Sequence, residues 1–183
     1  MKPSDIPNII TLIRFLLVLP VVLLLLQGRF GFALVVFGLA GFSDALDGYL
    51  AKHYHWSSRV GALMDPLADK LLLLSCFVTL GWLGWIPYWL VGLVILRDLT
   101  IVIGAIVYNF RIERLEAEPR PASKLNTFTQ IMLVLAVMFS QGVSELPALW
   151  MDVLLYSVLM TTLWSGLDYV WIWSRRALHK RAQ

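Results

Sequence analysis

The sequence predicts an all-α integral membrane protein of six transmembrane helices in a single domain, residues 1–183, and three observations carry that expectation. First, 59% of the residues are hydrophobic and only 15% charged, with a mean hydropathy of +0.75. A soluble domain of this size cannot hide so much apolar surface. Second, the apolar residues fall in runs of a length suited to a bilayer core of about 30 Å, separated by short polar links. Third, Lys and Arg concentrate in alternate links, the pattern that marks cytoplasmic loops.

Pro7 and Asn8 suit a helix start, and the first span runs from about Ile9 to Leu26. It has no small-residue cleavage pattern and further spans follow it, so it reads as a permanent helix rather than a cleavable signal. Arg14 lies one or two turns inside. It either snorkels to the interface or joins Asn8 and Thr11 in a polar cavity on the cytoplasmic side. Gln27 to Arg29 form a turn, and the second span covers about Phe30 to Ala51. His53 to Ser58 connect it to a third span from about Arg59 to Leu80. Gly81 to Trp85 make an uncharged aromatic hairpin, and the fourth span reaches about Phe110 with Arg97 and Asp98 near its middle. The most polar stretch, Arg111 to Lys124, precedes a fifth span over about Leu125 to Gln141 and a sixth over about Leu149 to Trp173. A basic tail ends the chain.

With the N-terminus inside, Lys2, Lys52, Arg59, the Arg111 to Lys124 loop and the tail all lie on the cytoplasmic face, and only Arg29 lies outside. Both termini are then cytoplasmic. Trp82, Trp85, Trp89, Trp171 and Trp173 read as interfacial belt residues. The single cysteine, Cys76, excludes an internal disulfide and reads as a small buried hydrophobe.

One stretch breaks the apolar pattern. Asp44, Asp47, Asp65 and Asp69 sit at the cytoplasmic ends of the second and third spans, where unneutralised carboxylates would be costly. At about 100° per residue, Asp44, Asp47, Gly48 and Ala51 share one helix face, and Gly61, Asp65, Ala68 and Asp69 share another. Two antiparallel neighbours can turn those faces together. A donor set of oxygen without His or Cys suits Mg²⁺, Mn²⁺ or Ca²⁺ rather than zinc, and four acids are enough for two ions. Gly48, Ala51 and Gly61 remove bulk from the same faces, either for helix packing or to let a flat ligand approach the backbone. A cation transporter is the competing class, although coupling paths spread acids through the membrane depth and these are bunched at one end.

Together, Asp44, Asp47, Gly48, Ala51, Lys52, Gly61, Asp65 and Asp69 resemble the signature of the CDP-alcohol phosphatidyltransferase family, D-x-x-D-G-x-x-A-R-x8-G-x-x-x-D-x-x-x-D. Every spacing is kept, and Lys52 stands where Arg is usual. The similarity extends to P-N-x-x-T-x-x-R at Pro7 to Arg14, Arg97-Asp98, and S-K-L-N-T at Ser123 to Thr127.

The resemblance implies an enzyme that moves a phosphatidyl group from CDP-diacylglycerol to an alcohol and releases CMP. By the same similarity Asp44, Asp47, Asp65 and Asp69 would hold two Mg²⁺ or Mn²⁺ ions, and Asp69 would be the general base. Asp44, Gly48, Ala51, Lys52 and Gly61 would face the nucleotide and its diphosphate; Lys52 supplies charge without the guanidinium fork. Arg14, Arg97 and Lys124 are the candidates for the acceptor's phosphate, with Asn8 and Thr11 beside them in a cytoplasm-facing active-site cavity. Arg97-Asp98 with S-K-L-N-T is most similar to the cardiolipin synthases of the family, whose acceptor is phosphatidylglycerol. Members using glycerol 3-phosphate, the phosphatidylglycerophosphate synthases, come next. The resemblance also implies a homodimer in a bacterial inner (cell) membrane, with lipids and no nucleic acid as partners.

Overall fold

A computed structural model describes residues 6–54, 59–111 and 121–181, with side chains described at 13, 15–43, 68, 70–104 and 121–169. These residues form α1 (Ile6–Leu26), α2 (Phe30–Tyr54), α3 (Arg59–Trp82), α4 (Tyr88–Arg111), α5 (Pro121–Gly142) and α6 (Ala148–Arg181). Two of them, Pro121–Gly142 and the Ala148–Tyr169 part of α6, are long and apolar enough to cross a membrane. Phe15–Leu26, Phe30–Ser43 and Lys70–Trp82 are shorter apolar stretches of the same character.

Helix boundaries follow local chemistry. α1 and α3 both end in a glycine of positive φ, Gly28 at 71° and Gly84 at 82°. At the first, Arg29 N donates to Leu24 O at 2.9 Å and Gly28 N to Leu25 O at 3.0 Å; at the second, Trp85 N donates to Leu80 O at 3.0 Å and Gly84 N to Gly81 O at 2.9 Å. Both are Schellman caps, which only glycine adopts without strain. Prolines open α4, α5 and α6. Pro87 O accepts from Leu90 N, Pro147 O accepts from Trp150 N, and Pro121 is the first residue of α5, positions where a missing N–H costs nothing.

Two boundaries differ from expectation. α5 starts at Pro121 rather than about Leu125, so Ser123 and Lys124 are on its first turn instead of in a loop. Polar residues there do not interrupt a helix whose φ is already set by proline. α6 continues to Arg181, beyond the expected end at about Trp173, and takes the basic tail with it. Lys and Arg are good helix formers and are favoured near a helix C-terminus.

The helices group into two compact units, one drawn from Met1–Trp85 with Val134–Leu146, the other from Ile86–Leu133 with Pro147–Gln183. In the first, α1 packs against both α2 and α3. Its core includes Val21, Leu25, Ala33, Phe37, Cys76, Phe77 and Leu80, all buried, so Cys76 is the small buried hydrophobe expected. Phe30 and Trp85 meet edge to face, centroids 6.1 Å apart at 87°. The α1–α2 and α3–α4 turns therefore share one end of this unit. Gly142 joins them there: a Cβ on it would lie 2.6 Å from Gly31 Cα and 2.8 Å from Phe30 C. In the second unit α4 packs against α6, with Leu90, Val94, Leu133 and Val158 buried.

Outward faces are apolar. Leu16, Phe32, Leu39, Leu96, Leu149 and Leu167 are exposed, as are Trp82, Trp85 and Trp89. Hydroxyls on the apolar helices are satisfied by their own backbone, Ser43 on Leu39 O at 2.8 Å, Thr79 on Ser75 O at 2.7 Å and Thr100 on Leu96 O at 2.7 Å. Back-bonding of this kind hides a polar group from a lipid-like medium.

Candidate active site

The acid-bearing halves of α2 and α3 are their far ends. Since Phe30 and Trp85 are in contact, helix rise carries Asp44 about 20 Å from that end along α2, and Asp65 about 25 Å along α3. The helical backbone holds Asp44, Asp47, Gly48 and Ala51 on successive turns of α2, and Gly61, Asp65 and Asp69 on successive turns of α3. The side chains of these residues, and of Lys52, lie outside the described residues, as do those of Asn8, Thr11 and Arg14 on α1. Ala68 and Lys70 flank Asp69; Ala68 is fully buried and Lys70 exposed. Among the described residues no group of His, Cys, Asp and Glu comes together to hold a metal, and all four aspartates fall outside that set.

The second unit holds a polar network among the described residues. Arg97 on α4 is 5% exposed, and its Nη1 donates to Asp98 Oδ1 at 2.6 Å. Nη2 donates to Ser123 Oγ on α5 at 2.9 Å and to Ser165 Oγ on α6. Arg97 thus has the carboxylate partner that a structural role requires, and it also ties three helices together. Lys124, next to Ser123, is exposed.

Further along the same face of α5 lies Asn126, fully buried. Its Oδ1 accepts from Thr162 Oγ1 at 2.8 Å, with Thr161 Oγ1 at 3.1 Å. Thr161 also pairs with Thr129 Oγ1 at 2.9 Å. Three buried donors have no hydrogen-bond partner among the described residues: Arg97 Nε, Asn126 Nδ2 and Gln130 Nε2. Outside this seam, a cleft of about 550 Å³ between α5 and α6 is bordered by Leu125, Thr129, Tyr156, Met160 and Thr161.

Sequence reasoning singled out Arg97, Asp98 and Lys124, took Asn126 only as part of S-K-L-N-T without a role, and did not single out Gln130, Thr161, Thr162 or Ser165. The signal available was two amides at i and i+4, Asn126 and Gln130, in an otherwise apolar helix.

The CDP-alcohol phosphatidyltransferase family model matches residues 4–164, which include the acid stretch and the Arg97 network. The chain belongs to the CDP-alcohol phosphatidyltransferase family. Among curated relatives, a cardiolipin synthase (CMP-forming) of Rattus norvegicus is 28% identical over 92% of this chain and 61% of its own length. The chain thus spans less than two thirds of that relative. A probable phosphatidylglycerophosphate synthase of Mycobacterium tuberculosis (strain CDC 1551 / Oshkosh) is 33% identical over 91% of the chain and 80% of its own length. A cardiolipin synthase (CMP-forming) of Streptomyces coelicolor is 38% identical over 54% of the chain and 48% of its own length. Among the described residues the regular structure is all helical, and the apolar α5 and α6 fit the membrane association of the family.

Proposed function

We propose that this CDP-alcohol phosphatidyltransferase family member transfers the phosphatidyl group of CDP-diacylglycerol to phosphatidylglycerol, forming cardiolipin and CMP. The observation that carries the reading is the spacing of Asp44, Asp47, Asp65 and Asp69 at the ends of α2 and α3 remote from the Phe30–Trp85 contact, within a family match over residues 4–164.

In the proposed reaction an acceptor hydroxyl attacks the phosphorus that bears the diacylglycerol. A new P–O bond forms, the bond to the CMP oxygen breaks, and CMP leaves with the electron pair. Asp69 takes the hydroxyl proton. Gly48, Ala51 and Gly61 leave the backbone open to the cytidine, and Lys52 offsets diphosphate charge. The four carboxylates are a hard-oxygen donor set that fits two Mg²⁺ or Mn²⁺ ions. Such ions, when bound, offset charge on the diphosphate. Arg97 and Lys124 on the second unit, and Arg14 on α1, are assigned to the acceptor's phosphate.

The same proposal takes residues 1–183 as one catalytic domain with six membrane spans, both termini and the active-site cavity on the cytoplasmic side of a bacterial inner membrane, acting as a homodimer. The basic-residue asymmetry supports that orientation.

Purified protein supplied with CDP-diacylglycerol and separately labelled acceptors tests the reading. Cardiolipin from phosphatidylglycerol is the expected product. Phosphatidylglycerophosphate from glycerol 3-phosphate would replace that acceptor with the second reading, which the 33% identity to a probable phosphatidylglycerophosphate synthase favours.

A further inference from the structure

The three unpartnered polar atoms of the second unit share one chemistry. Arg97 Nε, Asn126 Nδ2 and Gln130 Nε2 are all N–H donors, and no buried side-chain acceptor among the described residues is left without a partner. Their residues are 5%, 0% and 4% exposed. Buried donors left without acceptors are costly, so three in one place call for a group rich in acceptor oxygens.

Their placement gives that group a shape. Ser123, Asn126 and Gln130 fall on one face of α5 and span about 10 Å of helix rise. Ser123 Oγ receives Arg97 Nη2 at 2.9 Å, linking the foot of this face to the guanidinium. On the α6 side Thr162 holds Asn126 Oδ1 at 2.8 Å. With the amide oriented this way, Nδ2 faces away from the threonines. Within the column Arg97 is paired with Asp98 at 2.6 Å, and the other groups are amides and hydroxyls. A phosphodiester carries one charge, and with glycerol hydroxyl and ester oxygens it supplies several acceptors in line.

We propose that Asn126 and Gln130 form, with Arg97 Nε, a donor-only subsite that takes the glycerol phosphodiester headgroup of a lipid acceptor. The proposal rests on the phosphatidyl-transfer reading above and deepens it, adding two specificity-determining residues to the acceptor side.

The test uses full-length protein in mixed vesicles of CDP-diacylglycerol and phosphatidylglycerol, with KM measured for each substrate. Asn126→Asp keeps the oxygen that Thr162 bonds but replaces the donor by an anionic acceptor. Gln130→Met keeps volume and removes the donor. Each variant is expected to raise KM for phosphatidylglycerol about tenfold or more, relative to any change in KM for CDP-diacylglycerol. If Asn126→Asp does not fold, Gln130→Met carries the test alone. A column that holds only water predicts instead that Gln130→Met raises Tm and leaves the ratio of the two KM values at wild type, and that result overturns the subsite while leaving cardiolipin synthesis intact. Wild-type protein that makes phosphatidylglycerophosphate and no cardiolipin overturns the acceptor reading itself, and the lipid-headgroup subsite with it.

Discussion

Asp69 and Arg97 divide the proposed chemistry between proton transfer and acceptor recognition. Asp69→Asn preserves size and removes the base, so CMP release is expected to fall by about a hundredfold or more while binding of CDP-diacylglycerol, followed by titration, is largely retained. Turnover near wild type would remove Asp69 from the role. Arg97 uses both arms of its fork, one to Asp98 and the other to Ser123 and Ser165. Lysine keeps the charge but cannot reproduce that geometry. Arg97→Lys is therefore expected to lower kcat/KM for the acceptor about tenfold or more, with a smaller effect on KM for CDP-diacylglycerol; equal losses on both substrates would assign it to structure alone.

Helices were legible because their ends carry distinct chemistry. The Gln27–Arg29 turn and the Gly81–Trp85 hairpin were expected, and Gly28 and Gly84 cap α1 and α3 there. The start of α5 and the end of α6 were not, because charged residues resemble loop by composition whereas their helix propensity is high. The acid motif was legible as a spacing, and its placement at one end of α2 and α3 follows from the backbone alone. Thr162 and Ser165 were illegible for a physical reason: hydroxyls in apolar helices usually bond their own backbone, as Thr79 and Thr100 do, and only the bonds to Asn126 and Arg97 show which ones reach a neighbour. Gly142 was equally silent. A Cβ there meets backbone at 2.6 and 2.8 Å, and backbone cannot swing aside as a flexible side chain can. Gly142→Ala is expected to destabilise the protein by about 1–3 kcal/mol, read as a lower midpoint in thermal unfolding. Gly38→Ala, whose Cβ meets nothing within 4 Å, should be neutral or slightly stabilising by comparison.

At the scale of the whole molecule, the apolar exterior and the lone cysteine each give a measurable behaviour. Exposed Leu16, Phe32, Leu39, Leu96, Leu149 and Leu167 predict a protein that stays with the membrane fraction through alkaline and high-salt washes and leaves only with detergent; release by salt would contradict the membrane reading. Cys76 is the sole thiol of the chain and is fully buried, so a thiol reagent should label the detergent-solubilised protein only after unfolding. Chelation is expected to abolish phosphatidyl transfer, with Mg²⁺ or Mn²⁺ restoring it; activity that survives chelator would count against the carboxylate metal site. The two ends of the first unit differ in kind: aromatic rings and bare glycine backbone close one, and Asp44, Asp47, Asp65 and Asp69 occupy helix positions toward the other. On the proposed reaction that polarity makes the enzyme one-sided, so newly formed lipid accumulates in a single leaflet and reaches the opposite leaflet only by a separate transbilayer movement.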